Sequence, residues 1–226
     1  MIDQRLSSVK GNLSFLNKTF MKWYDFFSNF YDQSLEKLYA DSRRRAVELL
    51  ELKEGDVVLD LACGTGANFS HLKKSCANIE IYGADFSEGM LRRATHNIEK
   101  NQWEGIHLFQ ADARNLTKDT LSEYTGKEIK FDQVLCVLGL SVMPDWTTIM
   151  TNMLDLLKEG GKIVVVDVFA EKRDFNTWLV EKIAKADLDR PISEELKSKV
   201  NNFHMEYLPV KESKVGGKLF VAAGTK

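Results

Sequence analysis

The chain reads as an α/β protein: a seven-stranded, doubly wound sheet with five parallel strands, a C-terminal antiparallel hairpin and an N-terminal helical extension. Three observations carry this. From Val57 onward, short apolar runs alternate with helical segments, as in parallel βαβ units. The first run leads through an acid into a small-residue turn with two glycines, "VVLDLACGTGANF". The last two runs, "FHMEYLPV" and "KLFVAAGTK", stand too close in sequence for a parallel crossover, so they pair antiparallel.

The elements follow in order. Leu16, Phe20, Trp23, Phe27 and Phe30 recur at helical spacing and predict a helix over residues 14–39. A second helix is expected over 34–50, with Leu35, Leu38, Ala46, Leu49 and Leu50 inward, broken by Gly55 and Asp56. "VVLDLA" is a buried strand, followed by a helix over 67–74. "IEIYGADF" is the second strand and 88–100 a helix, capped by Ser87. "IHLFQAD" is the third strand, and a polar loop is expected after it. "FDQVLCVLGL" is the fourth strand and 145–158 a helix. "GGKIVVVDVFA" is the fifth strand, entered through a glycine turn. Helices over 174–186 and 193–202 precede the closing hairpin, whose connection holds Gly216 and Gly217.

A chain of 226 residues can bury a large core without staples. Its net charge of −2 excludes a global basic field for nucleic acid. Cys63, Cys76 and Cys136 are far apart and form no CxxC pair, so no disulfide framework or metal site is expected. No apolar run reaches the roughly 20 residues of a membrane span, and "MIDQRLSSVKGNLSF" lacks the apolar core of a leader. The expected location is cytoplasmic.

A strand, a glycine turn and a helix together hold an adenosine-containing cofactor. The turn lacks the lysine of a phosphate-binding P-loop. A dinucleotide site wants a third glycine for close helix packing, and Phe69 fills that slot beside Gly64 and Gly66. The acids say more. Asp85 ends the second strand, where a carboxylate accepts both ribose hydroxyls. Asp112 ends the third, placed to accept from an adenine amine, with the Ala113 N–H beside a ring nitrogen. Asp60 precedes the turn, placed to hold a cationic amine directly or through water. Three carboxylates on neighbouring strand ends repel a pyrophosphate and suit a cationic, phosphate-free ligand with a ribose. Each is also a residue type that caps helices and forms turns.

S-adenosylmethionine (SAM) has that character. With "VVLDLACGTG", "GADFSEGML", "QADARNL", "FDQVLCVLGLSVMPDW" and "LLKEGGKIVVVDV", residues 31–226 resemble the Rossmann-like class I SAM-dependent methyltransferases. The chain is most similar to the branch of ubiquinone/menaquinone methyltransferases and bacterial phosphatidylethanolamine N-methyltransferases. The resemblance implies a helical cap over 1–50 and a methyltransferase domain over 51–226, with 171–203 as a helical acceptor-pocket segment. It implies that Gly64 and Gly66 let backbone approach the methionine part of SAM, that Asp60 orients its amine, and that Asp85 binds the ribose. Phe86 and Met90 would lie against the adenine, Asp112 and Ala113 at its edge. Val137 and Leu138 would lie on the sulfonium side, and Tyr31 near the methyl group as the candidate catalytic residue.

Methyl transfer from a sulfonium needs alignment and exclusion of water, and a base only when the acceptor must lose a proton. The segment before "PD" holds Ser141, Val142 and Met143, where relatives often carry histidine. His71 and His96 are expected to face solvent, His107 to alternate within a strand and His204 to precede the hairpin. The expected acceptor therefore needs little base help: an amine, or a carbon activated by its own phenolate. It is small or lipid-like, a phospholipid amine or quinone precursor; the alternatives are a soluble amine or acid, or a non-catalytic SAM-binding module. The aromatic segment "FLNKTFMKWYDFFSNFYDQ" reads as a cap over the pocket or as a peripheral membrane contact. Arg43, Arg44 and Arg45 read as a solvated helix face, with contact to a substrate phosphate as the rival. Phe175, Trp178, Leu179 and Ile183 read as a pocket wall or as core.

Overall fold

A computed structural model describes residues 34–210 and 212–226. The helix expected over 14–39 lies for the most part outside them, as does Tyr31. The order is α1 (Ser34–Leu50), β1 (Val57–Leu61), α2 (Phe69–Ser75), β2 (Glu80–Asp85), α3 (Glu88–Asn101) and β3 (Ile106–Gln110). A 3-10 turn (Ala113–Asn115), α4 (Lys118–Thr125), β4 (Phe131–Val137), α5 (Trp146–Leu156) and β5 (Leu157–Phe169) follow. The chain closes with α6 (Phe175–Ala184), α7 (Ile192–Lys197), β6 (Asn201–Tyr207), α8 (Glu212–Val215) and β7 (Lys218–Thr225).

The expected sheet is present. Its order is β3-β2-β1-β4-β5-β7-β6. Strands β1 to β5 pair in parallel. β7 pairs antiparallel with both β5 and β6, which places it between them. Neighbouring residues of each central strand feed opposite faces, as the pleat requires. Leu59, Tyr82, Cys136, Val165 and Ala222 pack under α4, α5 and α7. Val58, Ile81, Leu135, Val164 and Val221 pack under α1, α2 and α3. Burial on both faces explains why the strands read as continuous apolar runs.

Four expectations are corrected. The segment expected as a polar loop after β3 contains α4. Its start is a capping box in which Thr117 and Thr120 serve each other's backbone, and Gly126 closes it at φ 74°. Only Leu121 of that helix is buried, so its apolar periodicity is faint. The helix expected over 145–158 stops at Leu156, because Leu157 already pairs with Phe131. The glycines 160–161 therefore form an irregularity inside β5 and not a turn before it. Gly160 has φ 76°, and a Cβ on Gly161 would meet the Asp132 carbonyl at 2.8 Å. β6 begins two residues early, at Asn201, and α7 is correspondingly short. The connection between β6 and β7 carries the short α8.

The fold leaves one crevice. Strand order reverses between β1 and β4, which are neighbours although two strands separate them in sequence. Helices leave such strands in opposite directions, so a gap opens at their carboxyl ends.

Candidate functional site

A cavity of about 400 Å³ lies at those carboxyl ends. Its floor is built from β1 and β4, where two non-glycine residues have left-handed backbone: Ala62 (φ 56°) and Leu138 (φ 59°). Both line the cavity. Each turns the chain sharply out of its strand, and Leu138 stays tied to the sheet through its N–H to the Val166 carbonyl at 2.7 Å. Backbone strain of this kind persists where the surrounding structure over-determines it.

Of the residues singled out in the sequence, Gly64, Asp85, Phe86, Met90, Asp112, Ala113, Val137 and Leu138 come together on the cavity wall. Asp85 ties the glycine turn to α3: its carboxylate accepts the Gly64 N–H at 2.9 Å and the Ser87 N–H at 2.8 Å. Ser87 caps α3 as expected, accepting the Met90 N–H at 3.1 Å. That bond also fixes the start of the helix that carries Met90. Gln110 holds the next turn, donating to the Phe86 carbonyl at 2.9 Å. Asp112 caps the 3-10 turn through the Arg114 N–H at 3.0 Å and pairs with the Arg114 guanidinium. This pairing keeps the Arg114 guanidinium above its ordinary pKa. Asn152 on α5 braces the same turn through the carbonyls of Ala113 and Arg114.

Two candidates sit elsewhere. Gly66 does not line the cavity. With φ 80°, and with the Phe69 ring 2.5 Å from where a Cβ would stand, it makes room for the turn and for that ring. Phe69 is fully buried and also closes over Gly83, so the third-glycine slot is filled by core. Asp60, expected to hold the amine directly or through water, is fully buried and does not line the cavity. Both its oxygens accept from the Asn68 amide, at 2.9 and 3.1 Å. Burial pushes its carboxyl up to about 7, opposed by Asn68 and then by the charge of Arg43.

Arg43 is the residue that sequence reasoning misplaced. Arg44 and Arg45 do pair with acids of the helix face, Asp41 and Glu48. Arg43 instead is buried, lines the cavity and donates to the Asn68 carbonyl oxygen at 2.7 Å. Its Nε has no hydrogen-bond partner among the described residues. A buried guanidinium that lines a cavity and has an unmatched donor among the described residues suits an anionic oxygen nearby. Asn68 precedes α2 in the cap position but makes no cap bond, because its amide bridges Arg43 and Asp60. Tyr39, one turn before Arg43, lines the same wall.

The cavity lining also has an apolar part. Met143 and Pro144, after β4, and Val180, Ile183 and Ala184 of α6 also line the cavity. Arg190 locks the two loops together by donating to the carbonyls of Leu140 and Met143. Asp187 adds a backbone bond to the Ser141 carbonyl at 2.8 Å. Phe175, Trp178 and Leu179 are neither wall nor core: they are exposed. The histidines all lie off the cavity wall. His71, expected in solvent, is half-buried; burial and then Arg43 hold its imidazole below the ordinary value. His107 stacks on Tyr82, and His204 faces Glu206 on the edge strand β6. Among the described residues no group of histidine, cysteine and acidic side chains could hold a metal ion.

A family model described as a methyltransferase domain matches residues 52–214. A demethylmenaquinone methyltransferase of Desulfitobacterium hafniense (strain Y51) is 30% identical over 166 residues, 71% of this chain and 61% of the relative. A phosphatidylethanolamine N-methyltransferase of Cereibacter sphaeroides is 29% identical over 165 residues, 71% of each chain. The demethylmenaquinone methyltransferase of Bacillus subtilis (strain 168) is matched over 51% of its length, so the chain spans about half to three fifths of these quinone relatives. Among solved structures, the Haemonchus contortus phosphoethanolamine N-methyltransferase 2 in complex with S-adenosyl-L-methionine superimposes with TM-score 0.63. Its identity is 16%, over 80% of this chain and 52% of that one. A geranyl diphosphate methyltransferase superimposes with TM-score 0.68 at 10% identity, over 84% and 78%. At these identities the structural likeness concerns the fold.

Proposed function

The chain belongs to the methyltransferase-domain family, and on that premise we propose that it binds SAM in the cavity and transfers its methyl group to a small amphipathic acceptor, a phospholipid amine or a quinone precursor. The observation that carries the reading is the lining of the cavity, which combines strand-end carboxylates and a buried guanidinium with apolar side chains from the loop after β4 and from α6. SAM supplies an electrophilic methyl on a sulfonium whose leaving group is a neutral thioether. The residues present fit it. Arg43 Nε is a buried donor in need of an anion, which the carboxylate of SAM would provide. Asp85 stands at the end of β2 for the ribose, and Asp112 with Ala113 at the adenine edge. Gly64, φ 56° with open space where a Cβ would be, leaves the backbone accessible to the methionine part.

The protein's part is then to align acceptor and methyl and to exclude water. Val137, Leu138 and Met143 line the cavity together with Val180, Ile183 and Ala184 of α6, apolar side chains that would keep water from the methyl group. The position of all four histidines off the cavity wall supports an acceptor that brings its own nucleophilicity. The relatives named for quinone and phospholipid substrates support the lipid-like class.

The test uses methyl-labelled SAM, the full chain and a detergent-dispersed lysate of its host, followed by organic extraction. Label in the organic phase is expected. Label only in water-soluble products would replace the lipid-like acceptor with a soluble amine or acid. SAM binding without any labelled product would favour a binding module. The pH profile of kcat/KM is expected to show no enzyme-borne ionisation in the histidine range; a clear one would reinstate a base.

A further inference from the structure

Among the described residues five large apolar side chains are exposed, and four of them belong to α6: Phe175, Trp178, Leu179 and Ile183, at 70, 50, 39 and 44% exposure. Their spacing places them on one stripe of the helix. Phe175 and Trp178 stack with ring centroids 5.7 Å apart and present a single aromatic surface. The opposite side of α6 holds Val180 and Ala184 against the cavity. The helix is firmly seated, since buried Thr177 donates to the Gly216 carbonyl at 2.8 Å. The exposed stripe is therefore a fixed face, and it adjoins the cavity mouth through Ile183, which belongs to both.

The charge around the stripe has a sign. Lys172, Lys182 and Lys185 are exposed on or beside α6, and exposed Lys214 on α8 stands at the cavity. The acids of the same patch are engaged within the protein. Glu171 pairs with Lys218 at 2.8 Å, Glu181 and Asp189 pair with Arg173 at 3.3 and 3.0 Å, Asp187 pairs with Arg190 at 3.2 Å, and Asp174 caps α6 through the Thr177 N–H at 2.8 Å. Aromatic side chains flanked by lysines suit the boundary between headgroups and acyl chains of an anionic bilayer. No helix among the described residues is long and apolar enough to cross a membrane, so contact would be lateral.

We propose that the exposed face of α6 docks the chain on an anionic lipid surface, with the cavity mouth turned toward the bilayer so that an amphipathic acceptor enters past Ile183. The proposal rests on the reading of the cavity as a methyl-transfer site for such an acceptor. It assigns membrane contact to α6, separately from the N-terminal aromatic segment.

The full chain is sedimented with vesicles of phosphatidylcholine alone and of phosphatidylcholine mixed with phosphatidylglycerol. Co-sedimentation with the mixed vesicles is expected, and F175S/W178S is expected to abolish it while leaving SAM affinity unchanged. L179Q provides a milder second variant should the double one misfold. K172Q and K182Q are each expected to lower partitioning about fivefold, the loss of about 1 kcal/mol per cation near the surface. Failure of the wild type to bind mixed vesicles overturns the proposal, as does undiminished binding by F175S/W178S and L179Q. The latter result means that the aromatic N-terminal segment makes the contact. A wild-type dimer that F175S/W178S converts to monomer, without vesicle binding, assigns the face to a second copy and also overturns it. The labelling of detergent-dispersed lysate is independent of docking, so failure there touches the acceptor and not this face.

Discussion

Arg43 shows how a residue's surroundings reverse its reading. In sequence it is the first of three arginines; in the fold it is buried, its Nε without a partner among the described residues, and it bonds Asn68, which in turn bonds Asp60. Arg43→Met keeps the apolar stem and removes the donors. A hydrogen bond to a charged partner contributes roughly 1.5–3 kcal/mol, so SAM affinity measured by calorimetry should fall by about ten- to a hundredfold. Unchanged affinity would remove Arg43 from the site.

Asp60 carries a pH consequence. Its carboxyl titrates near 7 in the folded chain and near 3.8 when unpaired and exposed. Between those values the folded chain keeps a proton that the unfolded chain has lost. Stability from this group therefore declines as pH rises from about 4 to about 7 and is level above that. Asp167, also fully buried and also raised by burial, declines with it. Asp60→Asn should flatten part of the slope, leaving the share of Asp167. Equal slopes for variant and wild type, from denaturant midpoints at acid and neutral pH, would show that Asp60 stays ionised throughout.

Among elements, α4 and β5 separate local signals from periodicity. α4 has one buried apolar residue, so a search for an apolar stripe passes over it; its caps at Thr117 and Gly126 are written in the sequence nonetheless. Thr117→Ala should cost about 1 kcal/mol, read as a lower unfolding midpoint, with SAM affinity unchanged. A neutral result would mean that the Thr120 hydroxyl, which also bonds the Asn115 carbonyl at 2.6 Å, holds the turn alone. In β5 the glycines marked an end that is not there. Pairing of Leu157 with Phe131 extends the strand past them, and the register shift absorbs the irregularity. Glycine signals a special backbone conformation, and only the neighbouring strand decides whether that conformation is a turn or a bulge.

At the scale of the molecule, the sheet order creates the cavity and ligand binding should register as global stability. Binding confined to the native state adds about 2.7 kcal/mol at a hundredfold excess over Kd. For a chain of this size that raises Tm by roughly 5–10 °C. SAM should give this shift and a nicotinamide dinucleotide should not; the opposite result would return the glycine turn to a dinucleotide site.

The strand and helix alternation, the parallel sheet with its terminal hairpin, and the set of carboxylates and glycines at the strand ends are all legible in the amino-acid order. Those features are local: apolar runs, caps and turn residues act over a few positions, and an acid at the end of a strand is at a crevice wherever the sheet reverses. Tertiary structure alone decided which of them reach the cavity. It set Asp60 beneath the surface and Gly66 under Phe69, turned Arg43 inward while its neighbours pair with acids in solvent, and exposed the aromatic stripe of α6. Each of these depends on what a distant segment places opposite the side chain. Burial, an unpaired donor and an uncovered apolar face are relations between segments, and no spacing within one segment encodes them.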